Sequence, residues 1–183
     1  MQFSDRPLKV ALVGFMGSGK TTVGRALAAI LGLPFIDLDA AIENVAGKSV
    51  GTIFAEEGEA AFRVREAEAL QSLSSRGEGM VLACGGGVVV SEANRRALGA
   101  DFVTVWLDVP FAELMKRLSS EAERAARPLL RSESYRVEAE ALYRSRMPFY
   151  REASRVAYRW ESGKSVKDAA LAIAELLAAA AES

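Results

Sequence analysis

The chain has 183 residues, 50% of them hydrophobic and 26% charged, with a formal net charge of -1. That length suits one domain, here taken as residues 1–183, with a sizeable buried core, and the near-neutral balance gives no bulk electrostatic case for nucleic acid or an anionic membrane. Histidine is absent and Cys84 is the one cysteine, which excludes an intrachain disulfide, a thiolate metal cluster, histidine-bound zinc and both Ser-His-Asp and Cys-His catalysis. No early stretch is apolar enough for a signal peptide or a membrane span, so a cytoplasmic location is expected.

Leu8–Val13 is a short apolar strand candidate, and Gly14-Phe15-Met16-Gly17-Ser18-Gly19-Lys20-Thr21-Thr22 follows it. The run fits G-x-x-x-x-G-K-[ST], and Val23, Ala26, Leu27, Ile30 and Leu31 then repeat at helical spacing. Strand, glycine-rich loop and helix make an anion site. Loop amides and the helix N-terminus point at phosphate oxygens, and Lys20 adds a mobile positive charge. The loop implies a nucleoside triphosphate and leaves the acceptor open. With no histidine, any base is a carboxylate, lysine, tyrosine or Cys84, and any metal is held mainly by oxygen, which favours magnesium beside phosphates.

Pro34–Asp39 reads as a second strand. On it Asp37 and Asp39 lie two apart and share a face. One can hold magnesium's water shell while the other binds or deprotonates an acceptor hydroxyl; the plainer alternative is a turn or helix-capping aspartate. Gly58–Glu66 reads as a helix on which Arg63 and Glu66 stand at i, i+3, so the carboxylate can orient the guanidinium to clamp a substrate carboxylate. Taken alone, such a pair is more often a weak surface ion pair. Met80–Cys84 is a third strand, and Gly85-Gly86-Gly87 after it lets the backbone approach a ligand, or simply makes a tight turn. The apolar surroundings of Cys84 suit an inert core thiol.

Phe102–Leu107 is a fourth strand. Residues 119–134 are polar and arginine-rich, read as a mobile lid carrying Arg127, or else as an ordinary charged connection. Arg146-Met147-Pro148-Phe149-Tyr150 is placed after the next helix, Arg155–Tyr158 is a weaker fifth strand, and residues 165–180 form a helix packed on the sheet. Strands alternating with helix-length segments imply an α/β, three-layer fold: a five-stranded parallel sheet with helices on both faces. Its polar motifs stand where ligands bind, beyond the carboxyl ends of the strands.

In order, Gly17-Ser18-Gly19-Lys20-Thr21-Thr22, Asp37-Leu38-Asp39, Gly58 to Glu66, Gly85 to Gly87, Arg127-Pro128-Leu129-Leu130 and Arg146 to Tyr150 closely resemble the motifs of the shikimate kinase family. The resemblance spans about residues 8 to 175 and implies the P-loop kinase fold and magnesium-dependent transfer from ATP to the 3-hydroxyl of shikimate, on the route to chorismate and aromatic amino acids. It implies that Lys20 and the loop amides, from Gly17 to Thr22, hold the ATP phosphates. Thr21 gives its hydroxyl to magnesium directly, and Asp37 holds the ion through water. Asp39 binds the ring hydroxyls and is the candidate base. Arg63, oriented by Glu66, and Arg146 clamp the carboxylate, the Gly86 amide helps place the substrate, and Arg127 closes over the phosphates. Family members often carry an Arg and a Pro near the adenine after the last strand; this chain has Arg159-Trp160-Glu161 without the proline, and Arg117 is its candidate to stack on the base. A monomer that takes ATP and shikimate is expected. The rivals are a related small-metabolite kinase such as a gluconate kinase, disfavoured by Arg63/Glu66 with Gly85–Gly87, and a non-catalytic metabolite sensor, disfavoured by the intact loop.

Overall fold

The computed structural model describes residues 7–119 and 134–181. The expected lid, with Arg127, lies outside the described residues except at its ends. The elements run β1 (Lys9–Val13), α1 (Lys20–Leu31), β2 (Phe35–Asp37), α2 (Leu38–Ala46), α3 (Val50–Ser74), β3 (Met80–Ala83), a 3-10 turn (Val88–Val90), α4 (Glu92–Asp101), β4 (Val103–Asp108), α5 (Phe111–Arg117), α6 (Tyr135–Ala153), β5 (Val156–Arg159) and α7 (Val166–Ala181).

The strands form one five-stranded sheet in the order β2-β3-β1-β4-β5, and every neighbouring pair is parallel. The central strands are buried on both sides, as their unbroken apolar runs require. Alternate residues of β1 serve different cores. Ala11 and Val13 join Leu38, Ile53, Phe62, Leu98 and Tyr150 on one face. Val10 and Leu12 join Val23 and Leu27 of α1 and Ala169, Ala170 and Ile173 of α7 on the other. The edge strand β5 alternates buried and exposed. Helices therefore cover both faces in three layers, as the sequence predicts, and the loop after β1 stands where the strand order reverses.

Three local expectations give way. The second strand stops at Asp37, so Asp39 sits in the first turn of α2 and the two aspartates do not share a strand face. The cause is local: Asp37 is extended and its carboxylate accepts from the amides of Asp39 at 3.1 Å and Ala40 at 3.4 Å, an N-cap that starts the helix there. The segment Arg146–Tyr150 lies inside α6, with Pro148 as an interior proline, rather than beyond the helix. Met147 and Phe149 on either side pack against the core, and that burial offsets the missing donor. The fifth strand runs one residue later, from Val156 to Arg159. The helix carrying Arg63 and Glu66 is as expected, and it starts afresh after Gly58, whose backbone (φ 82°, ψ 173°) breaks α3.

Leu27 holds the helix behind the glycine loop against the sheet and is fully buried. Leu27→Ala is expected to lower unfolding free energy by about 3 kcal/mol, read by urea denaturation. A loss below about 1 kcal/mol would show that α1 closes the gap by moving.

Candidate active site

The loop between β1 and α1 needs backbone conformations that side chains resist: Gly17 and Gly19 have φ of 77° and 91°. Gly19 caps α1 with no side chain in the cap position, which leaves the positive end of the helix to an anionic ligand. Lys20 Nζ folds back over the loop, donating to the carbonyls of Gly14 at 2.8 Å and Phe15 at 3.0 Å. Thr21 Oγ1 donates to Asp37 Oδ2 at 2.8 Å. Asp37 thus caps α2 with one oxygen, as the capping alternative has it, and meets the loop with the other. Thr21 and Asp37 form a small set of hard oxygen donors beside a phosphate site, and that set fits magnesium, which keeps most of its water. Among the described residues no group of three or more Asp, Glu, Cys or His side chains gathers as a metal cluster.

The second half of the site forms around Gly85–Gly87. Glu66 has no solvent exposure and accepts from Arg63 Nη1 at 2.8 Å. Glu59, one turn earlier, accepts from Arg63 Nη2 at 2.9 Å, so the guanidinium is held from two sides. Burial alone would lower the Arg63 pKa; Glu66 and Glu59 outweigh it and hold the side chain charged. A Cβ at Gly85 would stand 2.9 Å from Asp39 Oδ1 and 3.1 Å from Glu66 Oε1, and one at Gly87 would collide with the Arg63 guanidinium. The glycines are there for clearance as well as for backbone amides. Arg146 Nη1 reaches the same turn, donating to the Gly86 carbonyl at 3.2 Å.

Three buried side-chain atoms have no partner among the described residues: Asp39 Oδ1, Glu66 Oε1 and Arg146 Nε. All three belong to this corner. Buried polar groups are normally satisfied, so their concentration here points to a polar ligand. Burial first, and then the Asp37 charge, push the Asp39 carboxyl above its ordinary value. Burial likewise raises Glu66, against the pull of Arg63. Cys84 is buried, and burial drives its thiol far above the ordinary range, leaving it inert.

A cleft of about 640 Å³ joins the halves, lined among others by Lys20, Thr21, Asp39, Gly86, Arg117 and Trp160. At its far end the Arg117 guanidinium lies 4.2 Å from the Trp160 ring centroid and reaches the Gly17 and Ser18 carbonyls at 3.3 and 3.4 Å. Trp160 occupies the stretch that lacks the expected proline. Its partnership with Arg117, and the second carboxylate on Arg63, are absent from the sequence reading. Glu59 stands at i-4 from Arg63, a signal that spacing alone could have supplied; the Arg117–Trp160 contact has no local signal.

A nucleotide loop at the reversal point of a three-layer parallel sheet places the chain among the P-loop kinases, and the polar corner at Gly85–Gly87, with Arg63 and Arg146 beside it, fits a small-molecule acceptor. The family model described as shikimate kinase matches residues 16–178. A shikimate kinase of Halorhodospira halophila is 45% identical over 159 residues, covering 87% of this chain and 88% of that one. The solved structure of a shikimate kinase from Acinetobacter baumannii in complex with shikimate superposes with a TM-score of 0.87 at 36% identity, covering 96% and 95% of the two chains. The chain belongs to the shikimate kinase family. A gluconokinase from Sinorhizobium meliloti, at 18% identity and a TM-score of 0.56 with 98% and 96% coverage, shares the fold alone.

The raised Asp39 carboxyl has a stability consequence with a definite sign. Its folded pKa exceeds the unfolded one, so it favours folding at low pH and costs stability as pH rises through the folded value. Asp39→Asn is expected to raise the thermal midpoint at pH 7 to 8. The gain should fade on acidification and vanish below about pH 4, the unfolded value. Thermal melts of both proteins across pH check this; a midpoint difference independent of pH would contradict it.

Proposed function

We propose that this chain catalyses transfer of the ATP γ-phosphoryl group to the 3-hydroxyl of shikimate, giving shikimate 3-phosphate and ADP on the route to chorismate and aromatic amino acids. The observation that carries the reading is the Arg63–Glu66 pair beside the unpartnered Asp39 oxygen at the Gly85–Gly87 turn. It offers a carboxylate clamp and a hydroxyl acceptor within one pocket. The relative crystallised with shikimate supports the same acceptor.

Loop amides from Gly17 to Thr22 and the start of α1 bind the phosphates, and Lys20 exchanges loop carbonyls for phosphate oxygens. Thr21, directly, and Asp37, through water, would hold magnesium here, and the bound ion would supply positive charge against the phosphate oxygens. Arg63, oriented by Glu66 and Glu59, and Arg146 hold the shikimate carboxylate at one end. The Gly86 amide and Asp39 hold hydroxyls at the other. The 3-hydroxyl oxygen bonds to the γ-phosphorus, the bond to the bridging oxygen of ADP breaks, and the hydroxyl proton passes to Asp39. The loose transition state asks more of positioning and cations than of a strong base. Arg127, expected from the sequence to act on the phosphates, lies outside the described residues. No helix among the described residues is long and apolar enough to cross a membrane, which is compatible with work in the cytoplasm. A monomer is the proposed working unit.

An assay coupled to ADP release, with shikimate, gluconate or no acceptor, tests the reading. Turnover that depends on shikimate and on magnesium is expected; folded protein without it would end the proposal. Lys20→Ala is expected to cut kcat by at least about 100-fold, while calorimetry still detects shikimate binding. Loss of both would indicate misfolding. Arg63→Ala is expected to raise the shikimate KM on the order of 100-fold and to change the ATP KM less than about threefold. An unchanged shikimate KM would return Arg63 to the status of a surface ion pair.

A further inference from the structure

The motif that opens on Arg146 closes on Tyr150, and only its arginine has a role so far. Tyr150 lies one helical turn beyond Arg146 on α6, so the two side chains leave the same face. The tyrosine is fully buried and stacks on Trp106 of β4, with ring centroids 6.1 Å apart and planes 22° apart. Its hydroxyl donates to the Gly86 carbonyl at 2.6 Å, and Arg146 Nη1 donates to that same oxygen at 3.2 Å. Burial pushes the phenol far above its ordinary value, so it remains a donor at any working pH.

One carbonyl therefore joins the core, the helix and the glycine turn. Three consecutive glycines have more backbone freedom than any other tripeptide, and a precise turn needs an outside anchor. The peptide group is planar and trans, so fixing the Gly86 oxygen also fixes the opposite direction, in which the Gly87 N–H points. Gly87 abuts the Arg63 guanidinium. Arg146 is long and rotatable, its buried Nε lacks a partner, and the shared oxygen determines where its remaining donors point. Of the two donors on that oxygen, the shorter bond comes from a ring wedged against the sheet.

We infer that Tyr150 is a positioning residue of the acceptor site: it holds the Gly86 carbonyl from the core and thereby orients Arg146 and the Gly86–Gly87 peptide toward the carboxylate of the acceptor. The inference rests on the shikimate kinase reading above.

Tyr150→Phe keeps the ring and removes only the hydroxyl. With shikimate and ATP varied separately, the shikimate KM is expected to rise about tenfold, the ATP KM to stay within about twofold and kcat within about threefold. The calorimetric Kd for shikimate should rise with its KM. In an Arg146→Ala background, adding Tyr150→Phe should cost clearly less than the roughly tenfold expected in the wild-type protein, because the share exerted through Arg146 is already lost. A lowered thermal midpoint with both KM values unchanged would make Tyr150 a packing residue and overturn the inference. So would a loss confined to kcat, an equal rise in both KM values, or full additivity with Arg146→Ala. The wild-type protein, assayed alongside, separates two failures. No shikimate-dependent turnover removes the functional reading itself; normal wild-type turnover with unchanged Tyr150→Phe kinetics removes this inference alone.

Discussion

Glu66 has no access to water, and a carboxylate in that position must either meet a cation or give up its charge. The rest of the acceptor pocket follows from how this chain answers that demand. Arg63 supplies the cation, and its guanidinium needs space that only a glycine at position 87 leaves open. The second oxygen of Glu66 faces Gly85 together with Asp39, which brings α2, α3 and the β3 turn to one point. A pair that would be weak on a helix surface becomes a fixed part of the structure, because one partner is sealed and the other is held by a second carboxylate, Glu59.

The same corner holds polar atoms with no hydrogen-bond partner among the described residues. A buried polar group without a partner retains most of its desolvation penalty, so each is a place where a polar ligand atom gains the most. A ligand with a carboxylate at one end and hydroxyls at the other relieves those costs when it binds. Binding free energy here comes partly from strain of composition, not only from new contacts, and a protein stabilised by removing these groups would lose its substrate. The donor side works differently: the loop is built of backbone, and its demand falls on glycine conformations rather than on buried charge.

The two halves differ in how far the sequence reveals them. The loop is readable because Gly17 and Gly19 stand where left-handed backbone is required, and the flanking strand and helix announce themselves by periodicity. The aspartates are readable as chemistry but not as geometry. An aspartate after a short strand can extend it or cap a helix, and here capping wins at Asp37. Pro148 suggests a helix end, yet burial of its neighbours carries α6 through it. Glu59 could be found by spacing. The Tyr150 hydroxyl could not, because its partner is 64 residues away in sequence, and no local pattern encodes a contact across the sheet. Trp160 is similar: its place beside Arg117 is decided by where α5 and β5 end.

The folded-back lysine of the loop bears on how nucleotide enters. In the structure the Lys20 ammonium rests on the carbonyls of Gly14 and Phe15, so the loop itself supplies part of its polar partners. An incoming triphosphate does not have to dehydrate a bare cation. It competes with carbonyl oxygens of the same loop, exchanging one set of acceptors for a more strongly charged set. On the proposed function the loop would act as the lysine's own provisional ligand, and a departing diphosphate would leave those carbonyls to take the charge back. The contacts that hold the lysine to its loop would then also favour release.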